Sequence, residues 1–306
     1  MRAQSRFRVL TGALLNDLRG RRLTAPAVAK HRHSYPDRMD LPVGFQPEGV
    51  TIGKAPYAYL ASLADGAIFA VNLRTGAGRL VSEGPGTPSL GLKVDRRGLL
   101  YVAGGPSGTA RVVDSRSGAN ISHPLTPNSS LINDVLLTRR AAWFTDSRQS
   151  QLYRLSRGRG TPTVTTLPLS GEWVQQAGTN ANGIATTPDR RALLVVQTAT
   201  ATLFRVNRRS GAATKVDLDG YALTHGDGLL VSGRTLYVVQ NRLNQVAVIK
   251  LDRRGRAGRL VEVLASPEFD VPTTVAAYRG CLYMPNARFG TDSPGTADYW
   301  ITRIDT

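Results

Sequence analysis

Pro47-Glu48-Gly49-Val50, Ile132-Asn133-Asp134-Val135, Ala181-Asn182-Gly183-Ile184 and Gly226-Asp227-Gly228-Leu229 are four versions of one short pattern. Each places an oxygen-bearing side chain just before the aliphatic start of a strand. Two further segments share the phase without the oxygen ligand type: Leu90 precedes Gly91-Leu92-Lys93-Val94, and Thr273 precedes Thr274-Val275-Ala276. Successive spacings along this ladder are 42, 43, 49, 45 and 46 residues. A period in the forties is the signature of propeller blades, each a four-stranded unit. The sequence therefore predicts an all-β chain, a six-bladed β-propeller of four-stranded antiparallel blades.

A second repeat agrees in phase. Asn72-Leu73-Arg74-Thr75-Gly76, Asp114-Ser115-Arg116-Ser117-Gly118 and Asn207-Arg208-Arg209-Ser210-Gly211 read as hairpin turns between third and fourth strands. Glycine closes each turn, where positive φ is needed. In the first blade the pattern places strands near 49–53, 57–63, 67–73 and 78–83, with Asp65-Gly66 turning the chain between the second and third. The run Ala67-Ile68-Phe69-Ala70-Val71-Asn72-Leu73 alternates as a half-buried strand does. The last blade has only three strands of its own, near 273–278, 281–286 and 299–305. The segment from Ser34 to Leu41 is otherwise unassigned, and it is expected to supply the missing outer strand and close the ring.

Composition fits one propeller domain over residues 33–306. The chain has 306 residues, 41% of them hydrophobic, with 31 Gly and 17 Pro for many short strands and turns. A single cysteine, Cys281, excludes an internal disulfide framework and a Cys-rich zinc site. Residues 1–32 read differently. Arg2, Arg6 and Arg8 precede an apolar run, Asn16 to Arg22 interrupts it, and Ala27-Val28-Ala29 has the form of a cleavage site. This is a broken leader or a disordered tail, so cytoplasmic and exported locations both stay open. No apolar run reaches the roughly 20 residues of a membrane helix, and a soluble monomer is expected.

Equivalent positions in successive blades lie on one ring around the central channel. Glu48, Asn133, Asn182 and Asp227 should therefore converge, with two formal negative charges and only oxygen donors. That set suits a hard divalent cation, calcium before others. Asn and Asp also open tight turns, a role that leaves Glu48 unexplained. Strand direction puts the loops after second strands on the same face as this ring. Asp146, Gln197, Asn241, Asn286 and Arg288 are there, and are candidates for contacting a small-molecule substrate. The connection from Pro168 to Ala181 brings Glu172 and Trp173 to that face, as a lid or as an ordinary loop. His225, two residues before Asp227, is either a second proton carrier or a loop residue.

The blade-entry motifs, together with Asn182-Gly183-Ile184-Ala185 and the Pro188-Asp189 that follows, resemble those of the regucalcin / gluconolactonase (senescence marker protein) family over roughly residues 44–306. The resemblance implies a metal-dependent hydrolase of a lactone or similar ester. By that likeness Glu48, Asn182 and Asp227 correspond to metal ligands, Asn133 to a substrate- or metal-contacting amide, and Asp227 also to the general base. One position departs: the family's sugar-lactone enzymes carry arginine two residues before the amide, where this chain has Leu131. A more apolar substrate follows. The other class left open is a non-catalytic propeller that binds a ligand or protein around a structural metal. No Gly-x-Ser-x-Gly elbow, phosphate-binding loop or dinucleotide fingerprint is present.

The formal net charge is +17, yet only five of the 39 basic residues are lysine, and no aromatic side chains interleave with them. Sequence-specific nucleic-acid binding is not expected. The pairs Arg96-Arg97, Arg139-Arg140, Arg190-Arg191, Arg208-Arg209 and Arg253-Arg254 fall in turns on the face opposite the ring. They form either a solvated set or a weak contact for an anionic surface.

Overall fold

The apolar runs between turn residues fold into six blades of four antiparallel strands among the described residues, and blade four carries in addition the two-residue strand Ser170–Gly171 on its outer edge. The computed structural model describes residues 35–158 and 160–306; the leader-like stretch lies outside the described residues. Blade one is Pro47–Ile52, Tyr57–Ser62, Ile68–Asn72 and Gly78–Ser82, within one or two residues of the sequence reading. The innermost strands of the other five blades are Leu92–Val94, Ile132–Leu137, Ala181–Thr186, Gly226–Ser232 and Ala276–Tyr278. No helix among the described residues is long and apolar enough to cross a membrane.

The ring closes as the unassigned segment predicted. Blade six supplies Ala276–Tyr278, Cys281–Pro285 and Trp300–Asp305, and its outer strand is Arg38–Asp40. Arg38 pairs with Thr302, Met39 with Ile301 and Asp40 with Trp300, all antiparallel. Met39 is buried between blades six and one, so the closing strand contributes a core side chain as well as ladder bonds.

Among the described residues the core is six clusters, one at each blade–blade interface. Successive residues of one strand serve different neighbours. In blade one, Ala58 and Leu60 face blade six, whereas Tyr59 and Ala61 face blade two. The half-buried reading of Ala67–Leu73 is therefore corrected, since Ile68 and Ala70 pack toward blade two and Val71 and Leu73 toward blade six. A strand covered on both faces needs apolar residues at nearly every position, which is why Leu193–Gln197 is wholly buried.

The repeated hairpins form as read. Gly76, Gly118 and Gly211 sit at φ 74°, 75° and 74°. Their N–H groups donate to Asn72, Asp114 and Asn207 backbone oxygens at 2.8, 2.8 and 2.9 Å. The side chains of those residues accept a second N–H two residues on, from Arg74, Arg116 and Arg209.

Candidate metal centre

Four blades begin with the same backbone irregularity. Between Pro47 and Val50, Ile132 and Val135, Ala181 and Ile184, and Gly226 and Leu229, the innermost strand carries one residue more than its partner. A bulge of this kind bends the strand and re-aims a side chain. Glu48, Asn133, Asn182 and Asp227 are the residues at those four bulges, so one backbone device repeated around the ring presents all four. Close approach of neighbouring blades accounts for the glycine that follows three of them: a Cβ on Gly183 would lie 2.1 Å from the Asp227 carbonyl oxygen.

Hydroxyl groups orient the two amides. Asn133 Nδ2 donates to Ser147 Oγ at 2.9 Å, and that hydroxyl donates to the Ala181 carbonyl of the next blade. Asn182 Nδ2 donates to Thr198 Oγ1 at 3.1 Å, and Thr198 donates to the Gly226 carbonyl. In both, the nitrogen is anchored and the amide oxygen is the atom left available. At the equivalent place in blade five, Asn241 Nδ2 donates directly to Asp227 Oδ2 at 2.7 Å.

Two oxygens of this ring are buried without a partner: Glu48 Oε2 and Asn182 Oδ1. Stranded acceptors of this kind are costly unless a ligand completes them. Burial pushes the Glu48 carboxyl well above the usual carboxylate range, and the nearby charges of Asp227 and Asp134 add to it, with Lys93 opposing. Burial likewise raises Asp227 to about 7, against hydrogen bonds from Asn241 and Asn182 and with Asp134 adding. No group of three or more His, Cys, Asp or Glu side chains arranged for a metal occurs among the described residues. The donor set is instead two carboxylates and two amides, and all-oxygen sets of this composition fit calcium.

Asp134 is the residue that sequence reasoning passed over. Its carboxyl is buried and raised, accepting N–H bonds from Val135 at 2.7 Å and from Ile184 of the next blade at 3.2 Å. The corresponding position is Gly49, Gly91, Gly183 and Gly228 in four blades and Thr274 in the sixth. That one carboxylate in a column of small residues was the available signal.

Most of the polar residues expected at the mouth are engaged by the loops around them. Asp146, Gln197 and Asn286 share one register position, opposite Ile132, Ala181 and Pro272, and all three are buried. Asp146 accepts from the N–H groups of Leu131, Arg148 and Gln149 and from Tyr153 Oη. Gln197 bonds Val174, Asn180 and Thr200. Asn286 bonds Asp270, Trp300 and Thr302. A buried polar group has to find partners, and here the returning loops supply them. Arg288 is tied to Asp270 at 2.7 Å and to the Asp298 carbonyl. Among the described residues, Asn241 is the one expected contact that bonds a ring residue. His225 is exposed, at φ 54°, with its carbonyl accepting the Asn241 N–H.

The 168–181 connection, read as a lid or as an ordinary loop, packs along a blade edge. Ser170–Gly171 pairs in parallel with Ala212–Ala213 on the outer edge of blade four, and Glu172 Oε2 accepts the Lys215 N–H at 2.9 Å. Trp173 is buried in the cluster between blades three and four, 4.9 Å from the Phe204 ring. The segment covers a sheet edge.

No family model matches this sequence, and no curated protein matches it. Solved structures share the fold. A streptogramin B lyase is 13% identical with a TM-score of 0.62, over 81% of this chain and 78% of that one. The allergen Mala s 1 of Malassezia sympodialis is 18% identical with a TM-score of 0.65, over 89% and 97%. A PQQ-bound aldose sugar dehydrogenase from Streptomyces coelicolor is 13% identical with a TM-score of 0.60, over 88% and 99%. Identities this low establish the propeller and leave chemistry to the residues.

Proposed function

We propose that the chain is a divalent-cation-dependent hydrolase of a lactone or ester, with calcium held by Glu48, Asn133, Asn182 and Asp227. The observation that carries this reading is the pair of stranded buried oxygens, Glu48 Oε2 and Asn182 Oδ1, in a ring that also concentrates negative charge. A bound divalent cation would supply Lewis-acid polarisation of the carbonyl and a more acidic water. Asp227 is the proposed general base, held in place by Asn241. Ser147 and Thr198 are positioning residues that keep the two amide oxygens turned toward the ring.

The substrate is proposed to be more apolar than a sugar lactone. Leu90 fills the ring position of blade two, and Leu63 and Leu131 pack on the same cluster. Leu131 stands where the family resemblance would call for arginine, so no cation is there to meet sugar hydroxyls or a carboxylate.

One observation favours the second reading, a ligand-binding propeller with a structural cation. Asp146, Gln197 and Asn286 are saturated by loop backbone, which leaves few free polar groups to orient a substrate. Metal analysis of the purified protein, followed by a lactone and ester panel with calcium and with chelator, separates the readings. Turnover that chelator abolishes supports the hydrolase. A stoichiometric metal without turnover supports the binding module, and absence of any bound divalent cation removes both.

A further inference from the structure

The face opposite the ring carries two contiguous concavities that the proposed hydrolase does not use. The first is a vestibule of about 320 Å³ at the lower end of the channel, walled by residues of all six innermost strands. Its lining is largely aliphatic, including Ile52, Leu136, Ile184, Leu230 and Ala277, with Lys93 the charged group among them. The second is a basin of about 710 Å³ below blades two to four, lined by Arg96, Arg97, Arg139, Arg157 and Arg190. Val94 and Leu137 line both, so the arginines stand at the rim of the apolar vestibule.

The arginines divide into two groups. Arg157 is committed: it donates to Asp95 at 2.9 Å and to the Thr138 carbonyl, and lies 4.8 Å over the Tyr101 ring. Arg97 also pairs with Asp95, the one acid among the described residues of the basin lining. Among the described residues, the exposed side chains of Arg96, Arg139 and Arg190 have no hydrogen-bond or ion-pair partner. Three uncompensated guanidinium groups around one concavity repel each other, and a multiply charged anion relieves that repulsion while accepting paired N–H bonds.

We propose that this face is a second binding site, for a soluble amphiphilic phosphate monoester. The phosphate dianion sits among Arg96, Arg139 and Arg190, and the hydrocarbon part enters the vestibule. A carboxylate brings one charge where the phosphate brings two. The strand-walled vestibule admits one chain end, which favours a free molecule over a lipid that stays in a bilayer.

The test is titration calorimetry with octyl phosphate, butyl phosphate, octanoate and inorganic phosphate, each below its micelle concentration, alongside phosphatidic acid vesicles. Each buried methylene strengthens binding about fourfold, so octyl phosphate should bind up to about 200-fold tighter than butyl phosphate. The triple variant Arg96→Gln, Arg139→Gln, Arg190→Gln should lose at least tenfold for both esters. Ala277→Trp, which fills the vestibule from an exposed position, should level octyl with butyl phosphate while inorganic phosphate binding stays as in the wild type. Equal affinity for octyl and butyl phosphate in the wild type overturns the proposal, as does octanoate binding as tightly as octyl phosphate. Binding to vesicles without binding to free octyl phosphate also overturns it.

Discussion

With no divalent cation bound in the channel, this protein should be pH-sensitive in a direction opposite to ordinary acid denaturation. Asp227 is buried with its carboxyl raised from 3.8 to about 7. At 1.36 kcal/mol per pH unit, ionising it inside the folded protein corresponds to roughly 4 kcal/mol of lost stability. The sign follows from proton counting. Between those two values the folded state holds a proton that the unfolded chain has released, so stability falls as pH rises. The loss starts near pH 4 and is complete above pH 7. Glu48 is shifted the same way and adds to it. For a domain this size about 4 kcal/mol is on the order of 10 °C in Tm. Thermal melts in chelator should therefore drop between pH 5 and pH 8, and calcium should restore the loss by binding the ionised carboxylates. Asp227→Asn is the control: in chelator at pH 8 it should melt higher than the wild type, and in calcium lower. Wild-type and Asp227→Asn melting temperatures that track each other across this range in chelator would refute the buried-carboxylate reasoning.

If a lactone or ester substrate is found, Asp227→Ala should abolish turnover while His225→Ala keeps most of it, measured by pH-stat. The reverse outcome would move the base to His225. Met39→Ala, a truncation in the closing strand, should destabilise by about 2–5 kcal/mol in denaturant titration, since Met39 is 2% exposed between blades six and one. Gly183→Ala should lower both Tm and calcium affinity, because its Cβ would meet the Asp227 carbonyl at 2.1 Å and displace the ring; an unchanged calcium isotherm would show that the strand can shift without moving Asp227.

Much of the architecture was legible because it is periodic and local. The forty-odd-residue spacing determined six blades, and Gly76, Gly118 and Gly211 determined the hairpin turns, each closed by contacts within five residues. An unassigned segment beside a blade short of one strand determined the closure by Arg38–Asp40. The same register singled out Glu48, Asn133, Asn182 and Asp227, since equivalent bulges aim equivalent side chains. What the tertiary structure alone decided was which polar groups remain free. Asp146 and Asn241 look alike as loop-entry residues, yet one is saturated by its own loop and the other reaches Asp227. Trp173 reads in the sequence as part of a lid or of an ordinary loop, and the interface between blades three and four receives it. The raised carboxyls and the arginine-rimmed vestibule likewise depend on what neighbouring blades place against each group. Many of those partners come from other strands or other blades, and a side chain's protonation and bonding are set by that contact, which no local pattern encodes.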